Sequence, residues 1–188
     1  MAKTYAYALL LRGINVGGHR KVPMADLRAV LAELGHGDVR TYLQSGNAAF
    51  TSAMRDEARI AADIGRAVER RFGFAVDLLV RGGPYLRAVV EDCPFPAAGL
   101  EGKQLHVTYL SDNVDPGRLA SIDAKAFLPE EFRPGDRALY LYAPDGLGRS
   151  KLAAVLARPA LYEGIVATSR NWNTVVRLAD MTGETTDA

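Results

Sequence analysis

Tyr5-Ala6-Tyr7-Ala8-Leu9-Leu10-Leu11-Arg12-Gly13-Ile14-Asn15-Val16-Gly17-Gly18 decides the reading of the fold. The first seven residues form an apolar run of strand length, too short for a helix. The remainder, continued by His19-Arg20-Lys21, is a polar, turn-rich loop. Pro23 then opens a helix in which Met24, Leu27, Leu31 and Leu34 recur on one face, and Gly35 ends it. Val39 to Leu43 and Ala48 to Thr51 read as strands joined by Gln44-Ser45-Gly46-Asn47, a hairpin-like turn. Ile60, Ile64, Val68 and Phe72 mark a second amphipathic helix stopped at Gly73, and Phe74 to Val80 reads as the next strand. The order βαββαβ predicts a ferredoxin-like unit.

Downstream, Gly83-Pro84 starts a short helix that Cys93-Pro94-Phe95-Pro96 breaks, since proline disfavours helix in the residue before it. This composition shift predicts a connector over 83–102 between subdomains 1–82 and 103–188. The second half repeats the pattern: a strand over Leu105 to Leu110, a helix capped by Asp115-Pro116, a brief strand at Phe132-Arg133 and a clearer one over Arg137 to Tyr142. Ser150 caps another helix, Tyr162 to Ala167 supplies a closing strand, and Ser169 caps a last helix carrying Trp172, Val175, Val176 and Ala179. The expected architecture is α+β: two tandem ferredoxin-like (βαββαβ) subdomains plus a C-terminal helix.

Apolar residues make up 48% of the 188 residues and charged ones 24%, enough for a substantial core. The net charge of +1 disfavours a surface given over wholly to nucleic acid, while leaving room for a local basic site. A single cysteine, Cys93, excludes an internal disulfide and reads as a packed or bystander thiol. No leader-like segment opens the chain, and no window approaches the ~18 apolar residues of a membrane span. A cytoplasmic protein without a membrane partner is the expectation.

Four polar clusters stand at element ends, where a scaffold aims binding residues. In Arg12 to Gly18, Gly13, Gly17 and Gly18 free the backbone for close approach to a ligand, Asn15 adds an amide, and Arg12 supplies a planar fork for phosphate or carboxylate. The spacing matches neither the dinucleotide nor the Walker pattern, so a tight crossover whose glycines serve geometry alone is the alternative. Gln44, Ser45 and Asn47 offer donors and acceptors to a polar ligand, or form only a turn. Arg149, Ser150 and Lys151 stand at a helix start suited to phosphate, or are a cap with two solvated cations. Arg170, Asn171, Trp172 and Asn173 open the last helix; Arg170 is a second anion fork, and Trp172 packs in the core or stacks on a ligand ring.

Other chemistries find less support. His19, His36 and His106 are scattered and lack zinc-ligand spacing. Leu43 stands where a nucleophile elbow around Ser45 needs glycine. Glu130-Glu131 reads as a solvated loop pair, and Tyr5, Tyr7 and Phe50 as core rather than an RNA-stacking platform.

Leu10 to Gly18, Val39 to Asn47, Gly148 to Leu152 and Arg170 to Val175, in this order, resemble a bacterial domain-of-unknown-function family, number 1697. The resemblance implies a tandem of two α+β subdomains and brings no established activity, substrate or cofactor. Ser169 stands where the family pattern often has another small or apolar residue, which argues against a catalytic serine there. The combined expectation is a protein that binds an anionic, phosphate-bearing, nucleotide-like ligand through these loops. Two alternatives stay open: a small-molecule-binding protein with an apolar cleft between subdomains, and clusters that are purely structural.

Overall fold

The computed structural model describes residues 3–183; the outer ends of the two expected subdomains, 1–2 and 184–188, lie outside the described residues. The elements run β1 Tyr5–Leu11, α1 Met24–Glu33, β2 Gly37–Tyr42, β3 Asn47–Ser52, α2 Glu57–Phe72, β4 Leu78–Gly82 and α3 Gly83–Glu91. They continue with β5 Leu105–Leu110, α4 Pro116–Ala120, β6 Glu131–Gly135, β7 Ala138–Tyr142, α5 Lys151–Leu156, β8 Ala167–Asn171 and α6 Trp172–Gly183. The fold is α+β with two four-stranded antiparallel sheets, ordered β2-β3-β1-β4 and β6-β7-β5-β8. The chain divides into two compact units, Met1–Ala88 with Arg177–Ala188, and Val89–Val176.

In the first unit, β1 pairs with β3 from Tyr5↔Ser52 to Leu10↔Asn47, and with β4 from Tyr7↔Gly82 to Leu11↔Leu78. Alternation puts Tyr7, Leu9 and Leu11 on the face that joins Ala48, Phe50 and Val80 in one core with Leu27 and Leu31 of α1 and Ile60, Ile64 and Val68 of α2. The Asp56 side chain caps α2 by accepting from the Ala58 and Arg59 amides at 3.0 and 3.1 Å. Gly73, in the left-handed region at φ 80°, closes the helix.

In the second unit the same strand order is reached with shorter helices. Asp115 caps α4 and Ser150 caps α5. Leu152 and Leu156 of α5 cluster with Leu139 and Leu141 of β7, and Leu110, Val114 and Ala167 form a smaller cluster.

The structure shifts two strands relative to expectation. The stretch Phe74 to Asp77 is a lead-in, and β4 starts at Leu78 because its partner β1 ends opposite, at Leu11. Likewise β8 starts at Ala167, opposite Leu110, while Tyr162 and Ile165 pack from the lead-in. In both places apolar residues fill the core from a loop. Ser169 is therefore a strand residue and caps nothing; Asn171 caps α6, its Oδ1 accepting from the Thr174 amide at 3.0 Å.

Candidate functional site

The first two clusters meet at one end of the first sheet. The Leu11 amide, at the end of β1, donates to the Gly46 carbonyl at 2.8 Å, and the Arg12 amide donates to the Asp77 carbonyl at 2.9 Å. Beyond them the chain forms a small hairpin. The Asn15 amide bonds the Arg20 carbonyl, and the His19 amide bonds the Val16 carbonyl across the Gly17-Gly18 turn. Gly17 and Gly18 both have positive φ, 59° and 79°, the requirement of a type I′ turn. Turn geometry thus accounts for both glycines.

Asn15 braces this hairpin. Its Nδ2 donates to the Val22 carbonyl at 3.0 Å and to the Gln44 carbonyl at 2.6 Å, while its Oδ1 accepts from the Val22 amide at 2.9 Å. Its φ of 55° lies in the left-handed region, which asparagine tolerates better than most residues. The facing turn is as constrained. Gly46 has φ 81°, and a Cβ there would stand 2.7 Å from Leu11 Cβ and 2.8 Å from Ile14 Cδ1. Asn47 is fully buried and closes the turn, donating to the Tyr42 carbonyl and to Ser45 Oγ. Its task is internal.

On this frame Arg12, Gly13, Gly17, Gly18, Gln44 and Ser45 are exposed, as are His19, Arg20 and Lys21. Arg12 pairs with Asp77 at 3.5 Å, with both side chains more than half exposed, a contact that water screens and an anion can displace. From Arg12 to Lys21 there is no acidic residue, and among the described residues the Gly17 and Gly18 amides donate to no protein acceptor. His19, Arg20 and Lys21 were not among the expected site residues. Their signal was in the sequence, as an uninterrupted basic triplet beside a glycine pair.

The two clusters of the second unit have different surroundings. At the start of α5, the Glu130 carboxylate accepts from Ser150 Oγ at 2.7 Å, from the Leu152 amide at 2.8 Å and from the Lys151 amide at 3.3 Å. Burial pushes the Glu130 carboxyl up, but the bonds from Ser150, Leu152 and Lys151 outweigh it and hold the group below its ordinary range. An internal carboxylate thus takes the position that an external phosphate was expected to fill. Arg149 and Lys151 are exposed beside it.

Arg170 lies within β8 and is buried, donating from Nη1 to Thr168 Oγ1 and to the Ser169 carbonyl, each at 2.8 Å. Burial lowers its guanidinium to about 10. Trp172 is buried, its amide facing the Gly102 carbonyl at 3.3 Å. Asn173 lies over Gly102, where a Cβ would come within 2.4 Å of the carboxamide. Of this cluster, Asn171 and Asn173 are exposed.

Among the described residues no group of three or more His, Cys, Asp or Glu side chains could hold a metal, and no helix is long and apolar enough to cross a membrane. Fold and site together define a two-unit α+β protein with a braced basic hairpin at one end of its first sheet. The family model described as protein of unknown function (DUF1697) matches residues 4–140, and the chain belongs to that family. That match contains the Arg12–Gly18 and Gln44–Asn47 clusters and stops before the other two. Among solved structures, the conserved bacterial protein SP0830 from Streptococcus pneumoniae is similar, at 23% identity and a TM-score of 0.75, over 96% of this chain and 99% of that one. No curated protein matches the chain.

Proposed function

We propose that each unit is a ferredoxin-like module and that the first one binds an anionic, phosphate-bearing ligand at its basic hairpin. One observation carries this reading: Arg12, His19, Arg20 and Lys21 are exposed on a loop that holds no acid, and Asn15 fixes that loop in place. A cationic loop held in one conformation loses little entropy on binding, so its charge contributes more fully to affinity. Gly13, Gln44 and Ser45 border the same surface and offer it polar groups. Arg149, Ser150 and Lys151 contribute less in this reading, because Glu130 already engages the start of α5. Arg170 contributes as a structural cation. Nucleotides are the leading ligand class, combining phosphate with a polar remainder, and a cytoplasmic setting suits them.

Thermal-shift measurements across nucleotides, sugar phosphates and inorganic pyrophosphate test the proposal. Stabilisation by at least one phosphate compound, weakening with added salt and lost in Arg12→Ala/Arg20→Ala, is expected. Absence of any shift with every anion, in a folded protein, refutes it.

A further inference from the structure

Among the described residues, four large apolar side chains are exposed, and two of them stand at the basic hairpin. Val16 is 69% exposed beside the Gly17-Gly18 turn, and Leu43 is 55% exposed in the turn between β2 and β3. Both turns lie at the same end of the first sheet, where Asn47 pairs with Leu10 and with Tyr42. They are also fastened together, because Asn15, which precedes Val16, donates to the carbonyl of Gln44, which follows Leu43. A single exposed apolar residue needs no explanation, but Leu43 carries a second cost. Its φ of 56° lies in the left-handed region, and among the described residues it is the one apolar side chain at a non-glycine positive φ. Asparagine or glycine serves such a turn better. Leucine here adds backbone strain and gains little burial, so neither the turn nor the core explains it.

The charge beside these two residues is of one sign. Arg12, His19, Arg20 and Lys21 are exposed on a hairpin that carries no acid. Neighbouring segments of the first unit bring two acids, and each is matched: Asp77 pairs with Arg12 at 3.5 Å and Asp26 with Arg71 at 2.7 Å. Arg20 and Lys21 have no acidic partner among the described residues, so they leave a surplus of positive charge next to Val16. Exposed aliphatic tips flanked by cations complement a surface whose negative charge lies over an apolar interior. A free anion engages the cations alone and leaves Val16 and Leu43 in water.

We infer that Val16 and Leu43, with Arg20 and Lys21 beside them, form a docking surface for a membrane of anionic phospholipid. The inference rests on the reading of the hairpin as a binder of phosphate groups and makes the lipid headgroup their source. The two aliphatic side chains enter the boundary between headgroups and acyl chains, and the cations meet the headgroup phosphates. The contact uses exposed atoms alone and requires no cavity. It also needs no spanning helix, and so is compatible with the lack of one among the described residues. Two aliphatic side chains and two surplus cations give weak, reversible attachment, with a partition constant of about 10⁴ M⁻¹ or less, the range of one myristoyl chain.

The test is cosedimentation of the full chain with vesicles of phosphatidylglycerol and phosphatidylcholine in equal parts. Pure phosphatidylcholine vesicles and a titration with inorganic pyrophosphate are the comparisons. Saturable binding to the anionic vesicles, weakened by salt and much lower on phosphatidylcholine, is expected. Val16→Thr/Leu43→Asn should lower the partition constant about 10-fold and leave pyrophosphate affinity unchanged. Asparagine suits the positive φ at position 43, so Leu43→Asn should melt no lower than wild type. That single variant should by itself lower the partition constant about 3-fold, and it serves if the double variant fails to fold. Two results overturn the inference: the anionic vesicles do not bind the chain, or the variants bind them undiminished. If pyrophosphate still binds in either case, the hairpin remains an anion site and only the membrane contact fails; if neither vesicles nor pyrophosphate bind, both readings fail.

Discussion

Asn15 Nδ2 lies 2.6 Å from the Gln44 carbonyl, a contact that fastens the basic hairpin after β1 to the turn between β2 and β3. The same side chain spans the hairpin base through Val22, so one residue fixes both its shape and its anchorage. Asn15→Ala removes three hydrogen bonds and leaves a Cβ-bearing residue at positive φ. A loss of about 2–3 kcal/mol is expected from chemical denaturation. Asn15→Gly, which relieves the backbone, should recover part of the stability while leaving anion binding impaired.

Gly46 presents the tightest steric constraint at this site. Gly46→Ala sets a Cβ against Leu11 and Ile14 and also opposes a φ of 81°. Destabilisation of about 2–4 kcal/mol is expected. Gly13→Ala meets nothing within 4 Å and bears only the backbone penalty, about 1 kcal/mol. Melting temperatures of the two variants should therefore separate clearly.

Glu130 ties the loop before β6 to the start of α5. Glu130→Gln weakens charge-assisted bonds to Ser150 and Leu152, and about 1 kcal/mol is expected after allowance for solvent screening. Its folded-state carboxyl is depressed, so this stability is present above the unfolded value of ~4.3 and is lost as pH falls through the folded one. Thermal scans of wild type and variant should differ at neutral pH and converge in acid.

His36 and His106 are both buried. The His36 ring packs against Phe50 in a tilted arrangement, with centroids 4.6 Å apart, and its Nε2 lacks a partner among the described residues. Burial lowers both imidazoles; for His36, Asp63 partly opposes it. The unfolded chain then binds protons more readily below ~6.5 than the folded one. Stability should be complete above that pH, decline below it and level off beneath the folded values. In His36→Leu/His106→Leu, melting temperature should fall less steeply between neutral and mildly acid pH.

Much of the fold was legible because its signals are local. Capping by Asp115 and Ser150, the stop at Gly73 and the stripes of Ile60, Ile64 and Val68 depend on residues a few positions apart. What sequence could not give depends on pairing. The starts of β4 and β8 follow from where β1 and β5 end opposite them. Alternation in β8 turns Arg170 inward and Ser169 outward, so a residue read as an anion fork is a buried cation. Glu130 reaches Ser150 across 20 positions, a distance at which no spacing rule operates.

Arg170→Ala separates structural from binding cations. Removing this buried, hydrogen-bonded group should cost about 3 kcal/mol and leave phosphate affinity unchanged in the folded protein. Arg20→Ala should show the reverse, with little loss of stability and weaker binding. Denaturation and calorimetry on the same two variants check both halves.

The most direct measurement is an amide NMR titration with inorganic pyrophosphate, following Gly17 and Gly18 at the hairpin tip. Binding at the basic hairpin predicts saturable shifts of both amides that weaken with added salt and disappear in Arg12→Ala/Arg20→Ala. Unmoved Gly17 and Gly18 amides at saturating pyrophosphate, or shifts that survive in that variant, would contradict it.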